Sequence, residues 1–391
     1  MDYLKYLSSL EKFGMNLGLD RIRAILSRLG HPEVDFQSIH ITGTNGKGST
    51  AAMIASILKQ AGYRVGLYTS PHIYDYTERI KVNGQEISKQ ALSSALQKVR
   101  RAARGSKEQP TVFEVLTAAA FLFFSQKKID IAVLEVGLGG RLDATNVVYP
   151  LVSVITNIDL EHTEVLGKSL KKIATEKAAI IKPGVPVVTA EKKAEPLNVI
   201  RRSAQKAGAT LVQVQGYDSA RIPHLLGQHQ KLNAACAVAA VRLSGAIVTR
   251  AQIKRGLQKT QWPGRYQIIS RKPLTIMDGA HNPAGIRALV RTIKDNCPGK
   301  YTVIFGCQSV KDFKVMIKEL KPVTGELIIT RSSHPKAANP AKLVKAARAL
   351  KQPVHVAHSL AEALERADAA TPLLVTGSIF LVADFSKLLQ P

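Results

Sequence analysis

Short apolar runs and amphipathic stretches alternate along almost the whole chain. SIHIT (38–42) leads through a glycine-rich turn into a helical stretch from about 48 to 61, and YRVGLYTS (63–70) follows as a strand. TVFEVLTAAAFLFFSQKK (111–128) has helical character and precedes the strand DIAVLEVGL (130–138). LVSVITNI (151–158) is a further strand, and SLKKIATEKAAII (169–181) a helix that Pro183–Gly184 stops. PVVTA (186–190) and TLVQVQ (210–215) bracket a helix over 195–207. Strands that are apolar on both faces are covered on both faces, so this β-α-β-α order predicts a parallel sheet between helices. A second series of strands begins after WPGR (262–265): LTIMDGA (274–280), YTVIFGC (301–307), ELIITR (326–331), VHVAHS (354–359) and PLLVTGS (372–378). About 120 residues suffice for an independent Rossmann-like domain. The expected fold class is α/β. A mostly parallel N-terminal domain would cover 1–262 and a smaller C-terminal Rossmann-like domain 263–391, with the joint near 261–268.

The 391 residues are 45% hydrophobic, enough for a real core in two or three domains. Cys236, Cys297 and Cys307 are scattered and odd in number, so neither a disulfide framework nor a zinc spacing can be made from them. A reducing cytosol is expected. The opening MDYLKYLSSLEK has no apolar signal core. The longest apolar run, VLTAAAFLFF (115–124), is too short for a bilayer and reads as a buried helix, so no membrane partner is expected. The net charge of +26 raises nucleic acid as a partner. Yet the basic residues are spread thinly, as in GKSLKKIATEK (167–177) and IRRSAQKAG (200–208), and aromatic residues make up only 5%, which leaves few stacking platforms. A solvated basic surface, or one that draws in an acidic small substrate, fits better than nucleic acid.

The chemistry concentrates in turns after strands. HITGTNGKGST (40–50) sets Gly43, Thr44, Asn45, Gly46, Lys47 and Gly48 between a strand and a helix. Backbone N–H groups of such a loop close around phosphate oxygens, and the helix N-terminus adds its dipole. Lys47 can reach the β- and γ-phosphates, and Ser49 or Thr50 can offer a hydroxyl to Mg²⁺. The spacing departs from the usual P-loop: Ile41 stands where its first glycine would be, and Gly48 follows the lysine. Ligands bind at the carboxyl ends of strands in such sheets. Ser70, Glu135 and His162 lie at that rim, and Lys177 lies on the next helix. A hydroxyl, a carboxylate and an imidazole suit Mg²⁺ or Mn²⁺, although each alone reads equally as a hydrogen-bonded structural residue. GLGGRLDATN (137–146) is a second glycine-rich turn, where Arg141 and Asp143 either read a planar heterocycle or fix the loop. In the second half, Arg265 is a candidate γ-phosphate contact or a salt-bridge residue. Asp278, His281 and Asn282 form a strand-end turn that could also be a helix cap.

Taken together and in order, these stretches resemble the Mur-ligase-like family, and within it the folylpolyglutamate synthase/dihydrofolate synthase family. The matching segments are GTNGKGS (43–49), SPHI (70–73) with ERI (78–80), FEVLTAAAF (113–121), LEVGLGGRLDATN (134–146), ITNIDLEHTEVLG (155–167), IATEKAAIIKPG (173–184), GQHQKLNAACA (227–237), WPGR (262–265), DGAHNPAG (278–285) and VTGSIFLV (375–382). The resemblance implies a P-loop ATPase-like N-terminal domain and a ligase C-terminal domain. It implies that Lys47 and Gly43–Thr50 hold ATP phosphates, Asn233 the adenine, and Arg265 with Asp278 further parts of ATP. Ser49, Ser70, Glu135 and His162 would bind Mg²⁺, with K⁺ as a further candidate ion. Lys177 matches a lysine that becomes carbamylated. Thr111, Phe113 and Asp143 match pterin-side contacts, and His281 and Ser378 the glutamate side. Ala179 for Gly, Glu161 for the usual Asp before the histidine, and a partly kept segment at Lys311 and Asp312 depart from the family pattern.

The implied reaction adds L-glutamate to folates, and to dihydropteroate, through an acyl phosphate. Lys47, Lys177, Arg265 and His281 are its candidate catalytic residues. A cytoplasmic monomer acting on small molecules is expected. A tail-extending enzyme without dihydropteroate activity is the nearest alternative. A peptidoglycan-type ligase is a more distant one, because the 42 residues before Gly43 are too few for its nucleotide-sugar domain. A nucleic-acid-dependent NTPase would have no use for DGAHN or RLDATN.

Overall fold

The computed structural model describes residues 2–12, 14, 16–105, 108–218 and 222–389. They form two compact units, Met1–Arg221 with Lys231–Thr260, and Ile222–Gln230 with Gln261–Pro391. The sequence reading put 222–230 in the first domain. Leu226 instead packs against the second unit's core of Tyr266, Ile276 and Ile286.

The first unit is built on eight strands: β1 Gln37–Thr42, β2 Val65–Tyr68, β3 Ile80–Val82, β4 Gln85–Glu86, β5 Ile131–Glu135, β6 Val152–Ile155, β7 Val187–Thr189 and β8 Leu211–Gln213. Their order is β4-β3-β2-β5-β1-β6-β7-β8, parallel from β2 to β8. β2, β5 and β6 are buried along their whole length, which is why their sequences do not alternate. The β3–β4 edge is antiparallel, within the mostly parallel sheet expected, although the sequence reading placed no strands there. Asn83 and Gly84 turn it with φ of 50° and 81°, the backbone a two-residue hairpin needs.

VLTAAAFLFF lies in the helix Val112–Gln126 and is buried from Val115 to Phe124. Thr111 starts that helix with a capping box to Glu114. The helix Lys47–Gln60 packs closely on Arg250–Lys259. Gly256 permits this contact. A Cβ there would stand 2.5 Å from Ile57 Cα, and the Ser56 hydroxyl donates to the Gly256 carbonyl at 2.7 Å.

The second unit has six strands: β9 Gln267–Arg271, β10 Leu274–Asp278, β11 Tyr301–Phe305, β12 Thr324–Ile329, β13 Val354–Val356 and β14 Leu373–Thr376. The order is β13-β12-β11-β14-β10-β9, parallel except for the β9 edge. Helices Pro283–Asn296, Phe313–Leu320 and Pro340–Ala349 bury one face, while Leu360–Arg366 and Ile379–Leu388 bury the other. In both units the glycine-bearing turns at the carboxyl ends of the parallel strands carry the candidate residues. No helix among the described residues is long and apolar enough to cross a membrane.

Gly256→Val should overpack the contact between the two helices and cost about 1–3 kcal/mol. This would be read as a lower urea midpoint. An unchanged midpoint would show that the helices separate freely.

Candidate functional site

The phosphate-type loop leaves β1 at Thr42. Gly43 has φ 149°, and a Cβ there would meet Thr156 Oγ1 at 1.8 Å; Gly46, at φ 87°, would place one 2.3 Å from Asn233 Oδ1. Only glycine fits either position. The segment after β6 fixes the loop from behind. Thr44 N donates to the Asn157 carbonyl at 2.8 Å, Asn45 N to Asn157 Oδ1 at 2.9 Å, and Thr156 Oγ1 to the Asn45 carbonyl at 2.7 Å. Two ammonium groups converge on the loop's first carbonyl: Lys47 Nζ lies 3.0 Å and Lys177 Nζ 2.7 Å from Gly43 O. Lys177 is buried at the end of the helix Leu170–Ala178. Burial first, then the charge of Lys47, pull its pKa down to about 7, against opposing pulls from Glu161 and Asp143.

Of the residues expected around a metal, Ser49 lies buried in the first turn after the loop, beside Thr50, whose buried hydroxyl has no partner among the described residues. Ser70 and Glu135 come together, with Ser70 N donating to Glu135 Oε2 at 3.2 Å. His162 sits in the left-handed region at φ 50°, with its ring nitrogens 4.0 Å from Glu161 and 3.7 Å from Glu164. No cluster of three His, Cys, Asp or Glu stands together among the described residues, so any cation here draws on hydroxyls as well.

A cavity of about 360 Å³ opens in the same unit, and it gathers Ser70, Thr111, Phe113 and Asp143 with Arg79 and Leu17. Phe113 supplies an aromatic wall, with its ring 5.9 Å from that of Tyr68. Asp143 is buried. It accepts from Leu138 N at 2.8 Å, Thr145 N at 3.0 Å and Thr145 Oγ1 at 2.5 Å, while burial still raises its pKa. The carboxylate thus folds the GLGGRLDATN turn as well as lining the cavity. That turn is bound to the phosphate loop's surroundings. Thr42 Oγ1 donates to the Gly139 carbonyl at 2.7 Å, and Arg141 N to the Glu176 carbonyl at 2.9 Å, one residue before Lys177. Arg141 also pairs with Glu176 at 3.0 Å.

The second unit carries its own candidates. Asp278 ends β10 and holds the turns on either side, accepting from Tyr266 N at 2.7 Å and Ala280 N at 2.8 Å. His281 Nδ1 is 2.9 Å from the Gly279 carbonyl, and Asn282 caps the helix Pro283–Asn296. Ser378, also buried, caps Ile379–Leu388. Thr376 Oγ1 donates to the Asp278 carbonyl at 2.8 Å, tying the β10 and β14 ends together. Arg265 lines a cavity of about 460 Å³ with Trp262 and Tyr266. His229 lies near Asp278 and Arg265, and burial lowers its pKa.

Comparison with known proteins assigns these features to one family. The Mur ligase middle domain matches residues 41–186, and the Mur ligase glutamate ligase domain matches 264–379. The dihydrofolate synthase/folylpolyglutamate synthase of Bacillus subtilis is 34% identical, covering 97% of this chain and 96% of its own length. This chain belongs to the folylpolyglutamate synthase/dihydrofolate synthase family. The structure of Escherichia coli FolC in complex with DHPP and ADP superimposes with a TM-score of 0.90 at 32% identity, covering 99% of this chain and 96% of that one. The bifunctional enzyme of Yersinia pestis, complexed with AMPPNP and Mn ion, gives 0.89 at 32% identity, covering 99% and 97%. Like the other members, this one is an ATP-dependent ligase.

Two arginines and a histidine of this family member escaped the sequence reading. Arg21 binds Asn16 O at 2.5 Å, Glu108 at 2.7 Å and Glu114 at 3.0 Å, joining three parts of the cavity surround. Arg79 lines the cavity from inside the quoted ERI segment. His40 lies just before the loop and is fully buried, with Nε2 2.8 Å from Thr145 Oγ1. Thr145 donates to Asp143, so His40 carries its proton on Nε2 and leaves Nδ1 without a partner among the described residues. None of these has a spacing motif. Each is visible only through what surrounds it.

Burial, and to a lesser degree Lys182, pull the His40 pKa down to about 3. An unfolded histidine titrates near ~6.5. Between those values the unfolded chain holds one more proton than the folded one, so stability falls as the pH drops below about 6.5. His40→Gln should flatten this slope in urea midpoints taken between about pH 7.5 and about pH 5. An identical slope in the variant would remove His40 as a cause of acid sensitivity.

Proposed function

We propose that the protein adds L-glutamate to the carboxylate of folates, and to that of dihydropteroate, through an ATP-derived acyl phosphate. The observation that carries this reading is the shared wall between loop and cavity. One turn, residues 137–146, lines the acceptor cavity, is bonded to β1 beside the phosphate loop, and is bonded to the helix that presents Lys177. A planar, mostly apolar acceptor and a nucleotide phosphate chain would therefore meet within one rigid set of strand ends.

A carboxylate and an amine do not condense in water at useful rates. An acceptor carboxylate oxygen would form a bond to the γ-phosphorus while the bond to the β-phosphate oxygen breaks, releasing ADP. The α-amine of L-glutamate would then form the C–N bond and lose a proton, and phosphate would leave. The chain needs no side-chain nucleophile for this. Backbone N–H groups of 43–48 and Lys47 would stabilise developing phosphoryl charge. Asn233 would hold the adenine; Arg265 and Asp278 would serve ATP, and His281 with Ser378 the glutamate. Thr111, Phe113 and Asp143 would hold the pterin. Residues 1–262 and 263–391 would act as the ATP-side and glutamate-side domains.

Ser49, Ser70, Glu135 and His162 would hold Mg²⁺, which when bound neutralises charge on the phosphates. One carboxylate is a sparse donor set for a divalent ion, and Lys177 offers a remedy. With a pKa of about 7, a large share of its amine is neutral at neutral pH. The neutral amine can form an N–C bond to CO₂ and lose a proton. The product replaces a buried cation next to Lys47 by an anion, which removes the like-charge contact and adds a carboxylate to the donors. K⁺ is a further candidate ion. The enzyme is read as a cytosolic monomer acting without nucleic acid or membrane. Its basic surface would draw in polyanionic folate tails, and the KM for long-tailed folates should then rise with ionic strength.

Lys47→Ala should abolish ATP-dependent ligation; full activity in this variant would contradict the reading. Lys177→Ala should lower turnover on the order of 100-fold. Short free carboxylic acids should restore part of it. A variant rescued by amines but not by acids would rule out the carbamate.

A further inference from the structure

Two arginines stand in opposite states at the acceptor cavity: Arg79 lines it, and Arg21 bonds to residues of its wall. Arg21 directs Nε, Nη1 and Nη2 to acceptors on Glu114, Glu108 and Asn16, and its charge is matched by two carboxylates. Arg79 has no such match. Its Nε donates to His72 Nδ1 at 3.0 Å, and its guanidinium lies 5.2 Å from the centre of the Tyr76 ring. Among the described residues no hydrogen bond or ion pair engages its two terminal nitrogens.

The nearby acids are committed elsewhere. Glu78 accepts from the backbone N–H groups of Ile73 at 2.9 Å and Asp75 at 2.6 Å, and also from Tyr74. Glu135 accepts from Ser70 N at 3.2 Å. Arg79 is held in place by its own backbone, whose carbonyl accepts from Thr69 N at 3.0 Å, next to Ser70. Desolvation lowers its pKa, yet a guanidinium keeps its charge at any physiological pH. Glu78 and Glu135 attract the guanidinium through space, but neither forms an ion pair with it among the described residues, so its terminal donors still lack a hydrogen-bonded acceptor.

We infer that Arg79 receives a carboxylate of the acceptor substrate, through its two free terminal nitrogens, at the Ser70 end of the cavity. The inference rests on the proposed folate-type acceptor. Dihydropteroate has a single carboxylate, the one that reacts. Tetrahydrofolate has two on its glutamate, the reacting γ group and the α group beside it. Either source presents the same planar pair of oxygens, which a guanidinium fork binds with two parallel hydrogen bonds. Lysine can supply the charge but not the fork.

The test is equilibrium binding without ATP, comparing dihydropteroate with its carboxamide, in which the anion is replaced by a neutral amide. The wild-type enzyme should prefer the acid by about tenfold or more. Arg79→Gln should bind both equally and bind the amide as the wild type does. Arg79→Lys, which keeps the charge and guards against a folding defect, should show an intermediate preference. Tetrahydrofolate amidated separately at the α or γ position then identifies the source. Loss of affinity on γ amidation assigns the reacting group, and loss on α amidation assigns its neighbour; both support the inference. A full acid preference surviving in Arg79→Gln would overturn the role of Arg79 and leave the ligase reading intact. A wild-type enzyme that binds neither acid nor amide would overturn both.

Discussion

Two buried or half-buried ammonium groups, from Lys47 and Lys177, share the Gly43 carbonyl oxygen, and much of the active region depends on that contact. Burying an ion costs several kcal/mol after relaxation. The carbonyl offsets part of that cost for each lysine, but burial first and the charge of Lys47 second still bring the Lys177 pKa down to about 7. The loop can therefore receive a polyanion. Phosphate oxygens would take Lys47 away from the carbonyl, and a Lys177 without its proton would no longer repel it. Gly43 itself sits in a backbone conformation closed to other residues, hard against Thr156.

The GLGGRLDATN turn transmits this arrangement to the cavity. Asp143 holds the turn together through three donors, and His40 is joined to it through the Thr145 hydroxyl. A planar ligand resting on Phe113 would thus lie on a wall that is anchored to β1 and to the Lys177 helix. Catalytic precision of this kind comes from polar groups already positioned before the substrate arrives. Arg21 ties Glu114, Glu108 and Asn16 together beside the cavity, and Arg79 remains the cation with unused terminal donors.

Much of this was legible in the sequence. The apolar strand runs predicted two parallel-rich sheets, because strands covered on both faces carry no alternation. The carboxyl-end rule brought Ser70 and Glu135 to one rim. The antiparallel edge was missed because β3 and β4 are two or three residues long, although Asn83–Gly84 is a hairpin signal. Arg79 and His40 were missed for a different reason. Their meaning lies in contacts missing among the described residues, acceptors for the terminal nitrogens of one and a partner for Nδ1 of the other, and a missing contact leaves no trace in residue spacing. Segment 222–230 falls in the second unit, where Leu226 packs against its core, a long-range contact that residue spacing does not reveal.

The most direct test is release of phosphate from MgATP and L-glutamate with either 7,8-dihydropteroate or tetrahydrofolate as acceptor, with products weighed for an added glutamyl unit. Phosphate and one glutamyl addition are expected with both acceptors. Turnover with tetrahydrofolate alone would confine the enzyme to tail extension. Phosphate release without any glutamyl product, or no reaction with either acceptor, would contradict the assignment of this loop and cavity to folate-type ligation.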